Sequence, residues 1–290
     1  MMILFRRLTW PWPVLLLLAL AACNNGNPNE PTPPPDPNVV HYTAIGASDA
    51  IGFGASVPCF PFTDCPDGTG YVQVVTRRLR GAGKQVTVMN LGVPGAVLGP
   101  SLMAIGNSIG RNIPSNFLER SVPFVPREST LVTIFAGGND INTLGAAVEA
   151  GLGGADPAGY VNTHVATFGR DIRQVVAGVR QRAPNARIIA LNVPNFAGLP
   201  FTGGFTPPRK LAIQQISVLI SAQVNTLARE NVSVIDLMCD PRSYQAAAYS
   251  SDGFHPNDIG YAFMAEHVMN AINSGSAPPP QAACPQMQLF

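Results

Sequence analysis

The stretch SSDGFHPNDIGY, residues 250–261, places an acid, Asp252, three residues before an imidazole, His255, in a turn rich in Gly and Pro. A carboxylate there can hold one ring nitrogen protonated and leave the other free as a general base. Such a pair needs a nucleophile. Ser48, in IGASDAIGFG, is a candidate, because a serine hydroxyl attacks a carbonyl carbon only when a base removes its proton. Gly52 and Gly54 allow close backbone approach beside it, and N–H groups at such a turn can face a developing oxyanion. Gly95, in NLGVPGA, offers another backbone N–H, and Asn139, in GGND, a side-chain amide. Singly, each residue has an ordinary alternative. Ser48 reads as a helix cap, Gly95 as a turn residue, Asn139 as a cap or left-handed position, and Asp-x-x-His as a surface turn.

The decision rests on whether the chain brings these segments together. Apolar runs at 39–46, 85–92, 129–138, 186–194 and 232–237 read as strands. Between them, 71–83, 159–184, 208–231 and 260–272 carry apolar residues at helical spacing. Nearly all-apolar strands alternating with helices imply a mostly parallel sheet covered on both faces, a three-layer α/β/α sandwich of flavodoxin-like plan. Ligands of such sheets bind beyond the carboxyl ends of the strands. GASDAIGFG, NLGVPGA and GGND follow the first three strands, and SDGFHPN follows the last, so all four converge on one edge.

In this order the four segments resemble the blocks of the SGNH hydrolases, also called GDSL-type lipases and esterases, across residues 40–270. The resemblance implies Ser48 as nucleophile, with His255 and Asp252 completing a triad. It implies an oxyanion hole of the Ser48 N–H, the Gly95 N–H and Asn139, acyl transfer to water, and no metal or organic cofactor. The family's first block usually reads Gly-Asp-Ser-Leu; here it is Gly46-Ala47-Ser48-Asp49. The missing acid is not a triad member, and Asp49 is expected to cap a following helix. The G-x-S-x-G elbow of the α/β-hydrolases is absent.

The ends of the chain suggest where this chemistry takes place. Residues 1–22 join Arg6 and Arg7 to an apolar run too short to span a bilayer as a helix, an export signal by that pattern. Leu20-Ala21-Ala22-Cys23 resembles a bacterial lipobox, with Cys23 lipid-modified; an ordinary secretory signal with a chance Cys is the alternative. Asn24 after that Cys resembles sorting to the outer membrane. Residues 23–38 are a Pro-rich tether, 39–274 the hydrolase domain and 275–290 a tail. The expected location is the bacterial cell envelope, with the membrane engaged through the lipid. Without the leader the charge is 16 basic minus 17 acidic residues, −1, and no run of like charge points to nucleic acid. In an exported compartment Cys59 and Cys65 make the cheapest local bridge, leaving Cys239 with Cys284 to pin the tail; free buried thiols are the alternative. No Cys-x-x-Cys or His-x-x-x-His spacing suggests zinc. His41, His164 and His267 read as ordinary strand and helix residues.

The substrate is less defined. Residues 94–126 and 195–208 read as long loops beside the site, either mobile apolar lids or simple packing. Trp10 and Trp12, the only tryptophans, lie in the leader, so the loops are expected to lack aromatic platforms. Lipid or short-chain acyl esters are the first expectation. The alternatives are a carbohydrate O-acetyl esterase, an acyltransferase on the same triad, and a non-catalytic glycan- or lipid-binding lipoprotein.

Overall fold

Five strands build one sheet: β1 (Val39–Ile45), β2 (Gln85–Asn90), β3 (Leu131–Phe135), β4 (Arg187–Leu191) and β5 (Ser233–Ile235). Their order is β2-β1-β3-β4-β5 and every pairing is parallel. The computed structural model describes residues 36–290; Cys23 and the leader lie outside the described residues. Pro37–Phe290 form one compact unit.

Among the described residues, seven helices accompany the sheet: α1 (Tyr71–Gly81), α2 (Pro100–Ser108), α3 (Phe117–Arg120), α4 (Gly138–Glu149), α5 (Pro157–Arg182), α6 (Pro207–Asn225) and α7 (Asp258–Ser274). Strand side chains alternate between two cores. Ile45, Val132, Ile134, Ile188 and Val234 face a core shared with α2, α4, α5 and α6. Tyr42, Ala44, Leu131, Ile189 and Ile235 face a second core shared with α1 and α7. Burial on both faces is why these strands lack an apolar–polar alternation. The α/β sandwich expected from the sequence is the fold observed.

Three helices were not expected. Residues 94–126 contain α2 and α3 and pack Leu102, Ile113, Phe117 and Val122 into the core, so the segment is no open lid. α4 is built from GNDINTLGAAVE, mostly weak helix formers, and is held by burial of Ile141, Leu144 and Ala147. The expected helix at 208–231 ends at Asn225 and continues as 3-10 turns to Glu230, where Asn231 stops it at φ +57°. No helix follows Ser48 for Asp49 to cap: tight turns run from there, and the next helix is α1.

Both bridges are present, Cys59–Cys65 and Cys239–Cys284. The tail is also sewn down by hydrogen bonds. Gln214 Oε1 accepts from the Leu289 and Phe290 N–H groups, and Asn195 Nδ2 donates to the Gln286 carbonyl.

Loop-closure entropy ranks the two bridges. Cys239–Cys284 spans 45 residues and Cys59–Cys65 spans 6, which corresponds to about 4 and about 2 kcal/mol. Urea unfolding of the paired Cys→Ser variants is expected to show the larger loss for Cys239/Cys284. Equal losses, or the reverse order, would show that the tail's hydrogen bonds hold it without the bridge.

Candidate active site

The chain leaves β1 for β2 on one side and returns to β3 on the other, so a crevice opens between the carboxyl ends of β1 and β3. Ser48 follows β1 and Asn139 follows β3, one on each lip. Ser48 is 5% exposed. Its Oγ–H donates to His255 Nε2 at 2.9 Å, and His255 Nδ1–H donates to Asp252 Oδ2 at 2.6 Å. An ionised carboxylate only accepts, which sets this tautomer and leaves Nε2 to face the serine.

Asp252 is itself held in place. Its other oxygen accepts from Ser250 Oγ and from the Phe254 and His255 N–H groups. Burial raises its pKa, but these bonds and the His255 side chain outweigh burial and hold the carboxyl well below the usual range. The His255 loop is then stapled to the Ser48 turn. Asn257 caps α7 and donates to the Ala247 and Tyr249 carbonyls. Asp258 accepts from Ser56 N–H, Ser56 Oγ and Thr69 Oγ1. Tyr261 OH donates to the Phe53 carbonyl. At Gly54, φ +91°, an added Cβ would stand 2.8 Å from His255 Cβ, so only glycine permits this approach.

The N–H groups of Ser48 and Gly95 donate to no protein acceptor among the described residues. Gly95 has φ +79°, a left-handed conformation that suits glycine. Asn139 Nδ2 donates to the Ala96 carbonyl at 2.9 Å, which leaves its second amide hydrogen without an acceptor among the described residues. Asp140 next to it accepts from the Leu98 N–H at 2.9 Å. Two adjacent residues of GGND thus clamp the Gly95 loop. All five sequence-predicted groups, Ser48, Gly95, Asn139, Asp252 and His255, stand on this one edge.

Other contributors escaped sequence reading. Phe53 packs against the His255 ring at 4.6 Å and is 48% exposed; Phe254 meets the same ring edge-on at 4.8 Å. Aromatic side chains therefore flank the site, contrary to the expectation drawn from tryptophan alone. Asp49, half-buried behind Ser48, has its carboxyl pushed up by burial against the pull of His255. His267 lies in α7 as expected, and its Nε2 is hydrogen-bonded to Asp240 Oδ2 at 2.6 Å. Phe53 and Asp140 each lie inside a motif, but nothing in their spacing marked a role.

Two small cavities are lined by chain neighbours of Ser48 and not by Ser48 itself. One of about 10 Å³ is lined by Ala47, Ala96, Asn139 and Phe254 among others. Another of about 40 Å³ lies among Asp49, Gly138, Phe196 and Phe254. Among the described residues, no group of His, Cys, Asp or Glu has the arrangement of a metal site.

A family model described as "GDSL-like Lipase/Acylhydrolase family" matches residues 44–263. Among solved structures, the chain is similar to the lipase Lip_vut3 from a goat rumen metagenome, at 18% identity and TM-score 0.55, covering 80% of this chain and 97% of that one. It is similar to phospholipase A1 from Streptomyces albidoflavus NA297, at 19% identity and TM-score 0.53, covering 81% and 98%. It is also similar to a single-residue variant of Axe2, an acetyl xylan esterase from Geobacillus stearothermophilus, at 16% identity and TM-score 0.51, covering 80% and 94%. At such identities these structures establish a shared fold. No curated protein matches the chain.

Asp140 provides a pH test of the clamp. Burial pushes its carboxyl up to about 7, against the pull of the Leu98 N–H and with Asp171 adding to the rise. The folded value lies above the unfolded value near 3.8, so the native state binds the proton more tightly. Stability from this group is full below about 4 and is lost as pH rises through about 7. Asp140→Asn removes the titration. Across that range its unfolding free energy is expected to rise relative to wild type, then level off once the carboxyl is ionised. A difference that ignores pH would mean that the carboxyl titrates normally.

Proposed function

Because the chain belongs to the GDSL-like lipase/acylhydrolase family of ester hydrolases, we propose that it cleaves carboxylic esters through a Ser48–His255–Asp252 triad. The hydrogen-bonded chain from Ser48 Oγ through His255 to Asp252 carries this reading. His255 Nε2 takes the Ser48 proton as Oγ attacks the ester carbonyl carbon. The carbonyl oxygen, now an oxyanion, is stabilised by the Ser48 and Gly95 N–H groups and by Asn139 Nδ2. Asp252 stabilises the imidazolium, which protonates the leaving alcohol oxygen as the C–O bond breaks. Water then attacks the acyl-serine with His255 again as base, and the carboxylic acid departs. No cofactor takes part in these steps.

The size of the cavities supports a short acyl group. The cavity that Asn139 lines is about 10 Å³, room for about one water-sized group. A long chain would have to displace Phe254, whose ring is wedged edge-on against Phe196 at 5.4 Å and Phe201 at 5.1 Å. Phe53, beside His255, would give the leaving alcohol an apolar face to lie on. An acetyl or similarly short ester of a bulkier alcohol suits this site better than a long-chain lipid.

A nitrophenyl ester series of rising acyl length tests the reading. Turnover is expected to be highest for the shortest acyl groups and abolished by Ser48→Ala. Asn139→Ala should lower kcat by about 10²–10³, while Asp49→Ala keeps substantial activity. If folded protein shows no Ser48-dependent turnover on any ester, the site is that of a binder or of a specialised acyltransferase. An optimum at long chains would instead leave the triad standing and refute the short acyl group.

We further propose that the chain is anchored in a bacterial envelope membrane, the outer one by virtue of Asn24, through a lipid on Cys23. Bacteria expressing the full chain and fed a labelled fatty acid should label it, and Cys23→Ser should not be labelled. Equal labelling of both would place the lipid elsewhere or make the label adventitious.

A further inference from the structure

The edge of the sheet opposite the catalytic loops collects basic side chains. All five parallel strands begin there, and the helices that return the chain to that edge end there. α1 has Arg78 in its last turn, α5 has Arg180 and Arg182, and the 3-10 turn after α6 has Arg229. Arg127 lies shortly before β3, and Arg187 opens β4. The acids near these positions are Asp36, Glu128, Glu230 and Asp64, the last paired with Arg80 in the same turn of α1 as Arg78. The negative ends of helices attract some of these guanidinium groups, but partial charges do not cancel full ones.

The bonding of these groups leaves their charge available. Arg78, Arg127 and Arg229 are exposed and have no hydrogen-bond or ion-pair partner among the described residues. Arg180, Arg182 and Arg187 donate to backbone carbonyls alone, those of Glu230, Val125, Ala271 and Ile272. A cavity of about 1040 Å³ opens beside Arg180, Arg187 and Arg229, and no acidic residue among those described lines it. At the same edge, Phe124 is 60% exposed, in the turn whose next residue, Val125, accepts the Arg182 bond. The catalytic edge carries both signs, with Asp252 and Asp258 near the triad and Arg209 and Lys210 in the first turn of α6.

We propose that this basic edge docks the domain onto an anionic lipid surface, with Phe124 seated among the headgroups. Charge complementarity names the partner's sign, and juxtaposed arginines and an exposed aromatic ring are what the headgroup region accepts. The positive groups spread along the sheet from β2 to β5, about 19 Å at the usual strand spacing. That is a face to lie on a plane. The chain also enters the domain at this edge, where the Pro37 carbonyl accepts from Lys84 Nζ. The proposal stands on the domain alone and does not require a lipid on Cys23 or any catalytic role for Ser48.

The test uses residues 37–290, which contain the whole sheet, both cores and both disulfides in one compact unit. The domain is mixed with phosphatidylcholine vesicles, with and without phosphatidylglycerol, and sedimented. It is expected to follow the anionic vesicles at low salt, to be released at high salt, and to ignore the neutral ones. Arg127→Glu/Arg229→Glu should weaken binding by roughly 10-fold or more. Arg209→Glu/Lys210→Glu makes the same change of net charge in the first turn of α6, at the catalytic edge, and should cost far less. Phe124→Ser should lower the bound fraction without altering its salt dependence. Circular dichroism establishes that each variant is folded. The proposal falls if neither vesicle binds the domain, if both bind it equally, or if the two double variants lose binding to the same degree. Retention by duplex DNA without vesicle binding would equally overturn it and assign the edge to a nucleic acid.

Discussion

A hydrogen bond of 2.9 Å joins Ser48 to His255 across 207 residues of chain, and the rest of the architecture can be read as what holds it at that length. A displacement of about 1 Å in such a contact can cost two orders of magnitude in rate, so neither partner can ride on a free loop. Ser48 leaves β1, which is paired on both sides within the sheet. His255 stands on a loop between the edge strand β5 and α7, the weaker side. The staples lie on that weaker side: the Asn257 cap, the three hydrogen bonds to Asp258, and the Tyr261 hydroxyl on the Phe53 carbonyl. Position comes from the sheet for one partner and from hydrogen bonds for the other.

This division explains what could be read in the chain. The strands were legible because parallel strands buried on both faces are short apolar runs, and β1, β3 and β4 stand where those runs stand. The candidate site residues could be singled out because their segments carry their own turn chemistry, Gly95 having a positive φ and Asp252 and His255 sharing one turn. Spacing alone left each with an ordinary alternative. Their order along an alternating fold brought them onto one edge, and the hydrogen bonds are a property of that edge.

What stayed hidden depended on tertiary contact. α4 has Asn139, Asp140, Asn142, Thr143 and Gly145 in its first two turns, residues that favour caps and turns, and it is helical because its apolar stripe is buried. α2 is helical for like reasons, with Leu102 and Gly106 buried although Gly106 weakens the helix. Phe53 and Phe254 were unreadable for another reason. Their contact with His255 depends on how a glycine turn and a short loop are aimed, and no periodicity records that. The Phe254 ring also lines both small cavities. Substrate size was therefore the property least accessible from the residues, even though the chemistry was plain.

The parallel sheet has a consequence for how substrate meets the enzyme. It sends every strand's carboxyl end, and so the whole reaction, to one edge, and it sends the arginine-bearing helix ends to the other. An enzyme lying on its basic edge would turn the crevice away from the surface beneath it. Substrate would then arrive from the aqueous side, which agrees with a short acyl pocket and would ill suit a lipid extracted from that same surface. The acids on the catalytic edge act in the same sense. Asp252 stays ionised, because four hydrogen bonds hold its carboxyl low, and Asp258 is held low by Ser56 and Thr69. A neutral ester enters such a field without cost, whereas the carboxylate it yields is repelled. That asymmetry favours release of the acid product.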